Sequence, residues 1–171
     1  MSKVIVRNGN DTYVRSSKPS SNYASSARLL VRRDSAYAYI YFPRPFPPGA
    51  TITSATLRFY TYALPAAERS LTLRRTPKRT AFSSMTWRNR ADGIGGPGEP
   101  VTVTETGELG GKHEWSFNVK AHLQQISDGA PWYGWRVETD RDEDILIYSA
   151  SSDYRPVLEV EIGRASCRER V

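Results

Sequence analysis

Short stretches of alternating apolar and polar residues recur along the chain, separated by turns rich in Gly, Pro, Ser and Asn. A period of two residues is typical of strands that bury one face, and the turn residues mark where strands end. The pattern predicts strands at Val4–Val6, Thr12–Val14, Arg28–Arg32, Ala36–Phe42, Thr53–Tyr62, Leu71–Arg75, Val101–Thr104, His113–Val119, Tyr133–Thr139, Asp144–Tyr148 and Val157–Glu161.

The clearest alternation lies in Ala36–Phe42. One face of this strand carries Ala, Ile and Phe side chains, and the other carries Tyr37, Tyr39 and Tyr41. The apolar face makes the better core, so we expect the tyrosine rings to point outward. The next stretch, Pro43–Gly49, predicts a crossing loop because its four prolines cannot donate to a sheet ladder.

One short helix is predicted over Val119–Ile126, where apolar residues recur at helical spacing. Asn118 is a candidate cap at its start, and Gly129 with Pro131 ends it. Many short strands with one helix predict an all-β fold: a two-sheet antiparallel sandwich of jelly-roll type. We expect residues 1–161 to form this as a single domain.

Composition agrees with one ordinary globular domain. The 171 residues are 39% apolar and 25% charged, with a formal net charge of +6. No stretch approaches the ~20 apolar residues of a membrane-spanning helix. The first residues also lack the apolar segment of a secretory signal, so we predict no such leader.

The last ten residues, IGRASCRERV (162–171), do not continue the preceding strand pattern. Back-translated, they match the reverse complement of a common short-read sequencing adapter. We therefore expect them to derive from the adapter and to lie outside the fold. Cys167 would then be foreign, the native net charge would be about +4, and the gene could continue past Glu161. A natural basic tail is the alternative.

Five segments carry a family pattern: DTYVRSSKPSSNYASSARLLV (Asp11–Val31), PPGATITSATLRFYTY (Pro47–Tyr62), SSMTWRNR (Ser83–Arg90), the Phe117–Val137 run and RPVLEVEI (Arg155–Ile162). In this order they resemble the DNRLRE-domain family, a carbohydrate-binding-module-like sandwich related to disaggregatase repeats. One departure is Phe82, where the family has Trp. The resemblance implies a binding or adhesion module of secreted multidomain proteins or of phage tails and virions, with no universal catalytic set.

Catalytic patterns are missing from the sequence. It contains no GxSxG, HExxH, Walker or CxxC motif. His113 falls in a predicted strand and His122 on the predicted helix, and we expect both to be structural rather than a base or a ligand pair. The sequence therefore predicts a protein that is not an enzyme. The glycine-rich loop Gly93–Gly98 is not followed by a helix, which argues against phosphate binding.

A calcium site is one option for Asp140, Asp142 and Asp144, because hard cations bind clustered carboxylates. Ile145 and Ser151 stand where an EF-hand loop would need Gly and Glu. The favoured alternative is a solvated acidic turn, which leaves structural Ca²⁺ as a weaker prediction and no other cofactor.

The aromatic residues give the best indication of binding. Tyr37, Tyr39 and Tyr41 share a face and Trp132 lies in a second aromatic group, so these four with Arg33 are the predicted ligand contacts. Flat rings stack on sugars, and polar groups bond the hydroxyls. The alternative is that the rings pack a core or a subunit interface. For Trp87, Trp115 and Trp135 we expect the core.

Basic residues form a weaker indication. Arg28, Arg32, Arg33, Arg74, Arg75, Lys78 and Arg79 could make a strip for anionic glycans, teichoic-type phosphates or nucleic acid. A solvated surface is the favoured alternative, and nucleic acid is not expected because no recognised motif accompanies the charges.

The sequence thus favours a non-catalytic module that binds a cell-surface polysaccharide or other glycan, in a virion or outside the cell. The first alternative is a decoration or fibre subunit whose tyrosine face joins copies or other virion proteins. The second is the accessory domain of a truncated secreted enzyme.

Overall fold

The computed structural model describes residues 2–7, 10–77, 79, 81–90 and 99–163. Each predicted strand is present within two residues at either end. The strands are β1 (Ser2–Arg7), β2 (Asn10–Arg15), β3 (Arg28–Val31), β4 (Ala36–Tyr41), β5 (Ile52–Thr61), β6 (Arg69–Arg75), β7 (Val101–Glu105), β8 (His113–Asn118), β9 (Trp135–Thr139), β10 (Ile145–Tyr148) and β11 (Val157–Ile162).

The strands form two antiparallel sheets. The first has six strands in the order β1-β11-β5-β10-β3, with β8 also paired to the long central strand β5. The second has five strands in the order β2-β4-β9-β6-β7. The predicted all-β, two-sheet sandwich with one short helix is confirmed.

Apolar side chains from both sheets meet in one continuous core. Trp115 of β8 and Trp135 of β9 are its largest members, and both are fully buried, as predicted. Phe59 and Phe117 pack beside each other with ring centroids 5.2 Å apart. The Trp115 indole N–H donates to the buried Thr61 hydroxyl at 3.0 Å, so its polar group is satisfied inside the core.

The predicted helix is present as α1 (Lys120–Ser127). Asn118 acts at its start, because its side-chain oxygen accepts the Lys120 N–H at 3.1 Å. Gly129 ends it in a left-handed conformation with φ +116°. The helix buries its Leu123 and Ile126 face in the main core.

The strand β11 ends one residue later than predicted. The sequence pattern predicts Ile162 in a tail outside the fold, but in the structure it pairs with Ser2 on one side and Ile52 on the other. Its partly buried side chain packs on the core, because the alternation that buries Leu158 and Val160 continues to this position. The next residue, Gly163, donates its N–H to the Thr51 carbonyl at 2.8 Å.

A second, smaller apolar cluster lies on the outer face of the five-stranded sheet. Residues 81–90, which include a 3-10 turn at Phe82–Ser84, cover part of β2 and β4 there. Asn22 anchors this segment by donating to the carbonyls of Phe82 and Met85, both at 2.8 Å. We call residues 81–90 the cover segment.

Candidate functional site

The three tyrosines of β4 point outward, as the alternation predicts, but they are not an open row. Tyr39 is fully buried beneath the cover segment, in a cluster with Val14, Phe82 and Met85. Its ring meets Phe82 edge-on at 6.3 Å. The prediction that Tyr39 contacts a ligand is wrong, because the chain's own apolar residues occupy the place a ligand would take.

Tyr37, at the start of β4, is covered as well. Its ring stacks on Trp87 of the cover segment at 5.6 Å, and the Arg136 guanidinium lies 4.4 Å from its centroid. Burial raises the pKa of the Tyr37 phenol. Trp87 was expected in the main core, but it is partly buried on the outer face, where Arg90 lies 3.9 Å from its ring. These contacts hold the cover segment against the sheet.

Tyr41, at the end of β4, borders a cleft of about 470 Å³. Trp132 lies 6.1 Å from it, nearly parallel at 29°, so the structure brings these two predicted contacts together. The cleft is lined by Asn10, Tyr41, Arg79, Ala81, Phe82, Ser83, Trp132 and Tyr133. Its volume is within the range of small-molecule sites.

Trp132 is held rigidly in the loop that follows α1. Its indole N–H donates to the Phe42 carbonyl at 2.7 Å, and its ring meets Trp135 edge-on at 4.8 Å. Gly134 allows this approach: its φ is +101°, and a Cβ there would lie 2.6 Å from the Ile40 carbonyl oxygen. The ring is therefore held in a fixed position at the wall of the cleft.

His122 supports this arrangement from beneath. Its Nδ1 accepts the Trp135 indole N–H at 3.0 Å, and its Nε2 lies 2.5 Å from the Glu99 carbonyl. Burial lowers the pKa of the His122 imidazole, so the ring is neutral and donates from Nε2. His113, at the start of β8 in one sheet, lies 3.3 Å from Glu105, at the end of β7 in the other. His122 thus has the structural role predicted for it.

The polar lining of the cleft comes from separate parts of the chain. Arg79 is the one charged side chain among the described lining residues, and Asn10 and Ser83 add an amide and a hydroxyl. The sequence had placed Arg79 in a basic strip and had not singled out Asn10 or Ser83. No periodic signal marks them, since they converge only when β2, the cover segment and the loop before β9 meet.

Arg33 does not reach this site. It lies in the turn before β4, where its backbone N–H donates to the Arg141 carbonyl at 2.9 Å. Tyr41 is at the opposite end of β4, roughly 16 Å further along at the rise of an extended strand. The basic strip is also not assembled: Arg75 is buried, Arg74 pairs with Glu138 on the outer face, and Arg28 begins a strand of the other sheet.

The three aspartates of the predicted calcium site each have a partner within the protein. Asp142 and Asp144 each lie 3.0 Å from the Arg32 guanidinium, and Asp140 accepts the Ser70 N–H at 2.9 Å. Within the described residues no three His, Cys, Asp or Glu side chains are grouped to hold a metal. A guanidinium already occupies the space between two of the carboxylates, so the arrangement does not fit a calcium ion.

Several predicted features lie outside the described residues: Lys78, the Gly93–Gly98 loop and Cys167 with the rest of the tail after Gly163. Among the residues that are described, no helix is long and apolar enough to cross a membrane.

Comparison with known proteins adds a family to this geometry. The chain has no match among curated proteins. Residues 2–162 match the family model of carbohydrate-binding module family 96, over the same residues that build the two sheets and the cleft. Since the match spans nearly the whole chain, the protein belongs to carbohydrate-binding module family 96.

Proposed function

We propose that the cleft beside Tyr41 binds one end or one segment of a polysaccharide, without catalysis. The observation that carries this proposal is the pairing of Tyr41 with Trp132, two rings fixed nearly parallel at the wall of a cleft. A sugar ring has apolar faces that stack on such rings, while its hydroxyls need hydrogen-bond partners at the rim. Asn10 and Ser83 supply those partners.

The positive charge of Arg79 should make the cleft prefer a ligand with negative charge. It has no acidic neighbour among the described lining residues. A guanidinium binds a carboxylate, sulfate or phosphate more strongly than a hydroxyl, because the charged hydrogen bond is roughly twice as strong. We therefore infer that the glycan carries acidic groups.

Retention in native gels tests this function. Gels containing β-glucan, xylan, galactomannan or polygalacturonate would be run with the intact chain, and we expect retardation by the acidic polymer. Trp132→Ala would weaken binding about tenfold or more, since one stacked ring contributes about 1 kcal/mol or more. Tyr133→Ala removes a second ring that lines the cleft and leaves the packing of Trp132 against Trp135 in place.

Tyr23→Ala is the matched control. It removes an aromatic ring that stacks on Tyr13 at 4.2 Å and does not line the cleft. We expect its retardation to equal that of the unmodified chain. Retardation that survives both Trp132→Ala and Tyr133→Ala would show that the cleft is not the site. If no polymer retards the chain and the chain does not co-sediment with bacterial cell walls, carbohydrate binding at this cleft is contradicted.

The tyrosine face no longer favours an assembly subunit, because Tyr37 and Tyr39 are covered within one chain. Sedimentation of the purified protein separates the two functions. A monomer supports the binding module, whereas a trimer that Tyr41→Ala dissociates would support a decoration or fibre subunit.

On the DNRLRE resemblance alone, we propose a setting in a phage tail or virion, or in another extracellular protein. The accessory domain of a secreted enzyme is the alternative setting. Sequencing the uninterrupted gene distinguishes them: adjoining tail or fibre domains support the first setting, and an adjoining hydrolase or lyase domain supports the second.

A further inference from the structure

A second group of aromatic residues lies on the outer face of the six-stranded sheet, away from the cleft. It consists of Tyr60, Tyr62, Tyr148 and Tyr154, which we call the tyrosine patch. Tyr60 of β5 and Tyr62, the residue after its end, alternate with the buried Phe59 and Thr61, so both face outward. The spacing of Tyr60 and Tyr62 was visible in the sequence, but their convergence with the other two required the fold.

The rings of the tyrosine patch are packed against one another. Tyr62 and Tyr148 stack at 4.1 Å, Tyr154 meets Tyr148 edge-on at 5.2 Å, and Tyr60 lies 6.3 Å from Tyr154. A serine turn fixes the backbone of Tyr154, because its N–H donates to the Ser152 hydroxyl at 3.1 Å. Tyr154 is thus an ordered ring and not a freely rotating surface side chain.

Lys112 completes the patch. Its ammonium lies 4.6 Å from the Tyr154 ring centroid and donates to the Tyr154 hydroxyl at 3.0 Å. Its backbone has φ +59°, a left-handed conformation that favours glycine. The two residues before it are glycines, yet this position carries a lysine. Lysine at this position costs stability that glycine would not, which indicates a use for its side chain.

The size of the patch favours a sugar over a protein partner. Tyr154 is 40% exposed, and its three neighbours are only partly exposed. Since a tyrosine presents roughly 200 Å² in all, Tyr154 offers on the order of 80 Å². A stable protein interface needs about 800 Å² per partner, roughly ten times the area that Tyr154 offers. One sugar ring stacked on Tyr154, with the Lys112 ammonium as donor, matches both its area and its chemistry.

We propose that the tyrosine patch is a second polysaccharide-binding site, which makes the module bivalent. The patch lies on the outer face of one sheet, and the cleft lies on the outer face of the other, so the two sites face opposite sides of the sandwich. One module could then hold two polysaccharide chains together. This site does not depend on the cleft being a binding site.

Calorimetry with hexasaccharides tests the proposal. The probes are hexasaccharides of the four polymers named above, titrated into the full chain, its Tyr154→Ala variant and its Lys112→Gly variant. We expect two sites in the unmodified chain and one in Tyr154→Ala. Lys112→Gly should weaken the second site severalfold without lowering the melting temperature, because glycine adopts the same backbone conformation freely. Ile5→Ala is the control, since Ile5 is the other exposed large apolar residue described on this sheet.

Each outcome decides the question. Loss of one site in Tyr154→Ala, with the other site lost in Trp132→Ala, supports both the patch and the cleft. Loss of all binding in Tyr154→Ala, with Trp132→Ala unaffected, supports the patch and overturns the cleft. A single site that Tyr154→Ala leaves unchanged overturns the patch alone, as does a dimer that Tyr154→Ala dissociates. No binding of any hexasaccharide overturns both.

Discussion

The two ends of β4 carry the same residue type on the same face, yet they have opposite fates. Tyr37 at one end is stacked under Trp87 of the cover segment, whereas Tyr41 at the other end borders an open cleft beside Trp132. Between them Tyr39 is fully buried. Residue type and strand face are therefore not enough to make a binding site.

The two ends of β4 differ in what packs on the outer face of the sheet. At the closed end, the Asn22 amide anchors the cover segment, and Trp87 completes the packing. At the open end, Trp132 is fixed by the Phe42 carbonyl and leaves space between itself and Phe82. The cleft is the part of the outer face that stays open after the cover segment has packed on Tyr37 and Tyr39.

The largest expected difference is between Tyr39→Ala and Tyr41→Ala. Removing the buried Tyr39 ring leaves a cavity and should lower the free energy of unfolding by about 3–5 kcal/mol. Tyr41→Ala should cost under about 1.5 kcal/mol in stability and instead weaken polysaccharide retardation. Urea denaturation and native gels measure the two effects. Equal stability losses would mean that the cover segment does not pack on Tyr39 in solution.

Asn22→Ala tests what keeps the closed end closed. The substitution removes two hydrogen bonds to the cover segment, and we expect a loss of about 1–3 kcal/mol. Because Phe82 also lines the cleft, retardation by polysaccharide should weaken as well. Ser20→Ala is the control, since it removes only the exposed bond from Arg88 at 2.9 Å. If Asn22→Ala changed neither property, the Asn22 anchor would be dispensable.

The strands of this fold were predictable because their signal is local. Alternation in β4 or β5 reports which side chains share a face, and turn residues report where a strand ends. The helix start at Asn118 is equally local. The surroundings of the predicted calcium site were not predictable for the opposite reason: Arg32, which pairs with Asp142 and Asp144, comes from a distant part of the sequence.

The candidate site could be predicted only in part, because it too depends on contacts between distant parts of the sequence. Tyr41 and Trp132 are recognisable as aromatic residues near turns, but nothing local shows that they meet while Tyr39 is covered. That distinction depends on the 60-residue separation between Asn22 and Phe82, which no periodic pattern records. Arg33 is near Tyr37 in the sequence and lies just before the start of β4, whereas the cleft lies at the other end of that strand.

A smaller effect is expected in the pH dependence of stability, through His122, which bonds Trp135 behind the open end of β4. The pKa of His122 is lowered in the folded protein, so the unfolded chain binds a proton more readily. Stability is then complete above the ordinary histidine pKa of about 6.5 and falls as the pH drops below it, by at most about 1.4 kcal/mol per pH unit. Melting temperatures between pH 7.5 and 5.5 should show this slope.

His122→Gln is the matched variant for that measurement. Glutamine keeps an acceptor for the Trp135 indole and a donor for the Glu99 carbonyl, but it does not titrate. We expect the variant to be less stable at pH 7.5 and to lose less stability on acidification. An unchanged slope would show that another group causes the pH dependence.

The smallest effect lies just beyond the closed end, where Arg32 joins Asp142 and Asp144. These side chains are between 38% and 66% exposed, so Asp142→Asn with Asp144→Asn should cost under about 1 kcal/mol. Millimolar calcium or a chelator should leave the melting temperature of the unmodified chain unchanged, because a cation would have to displace the guanidinium. A calcium-dependent rise in melting temperature that the double variant loses would contradict this, since only an ion bound to the folded state stabilises it.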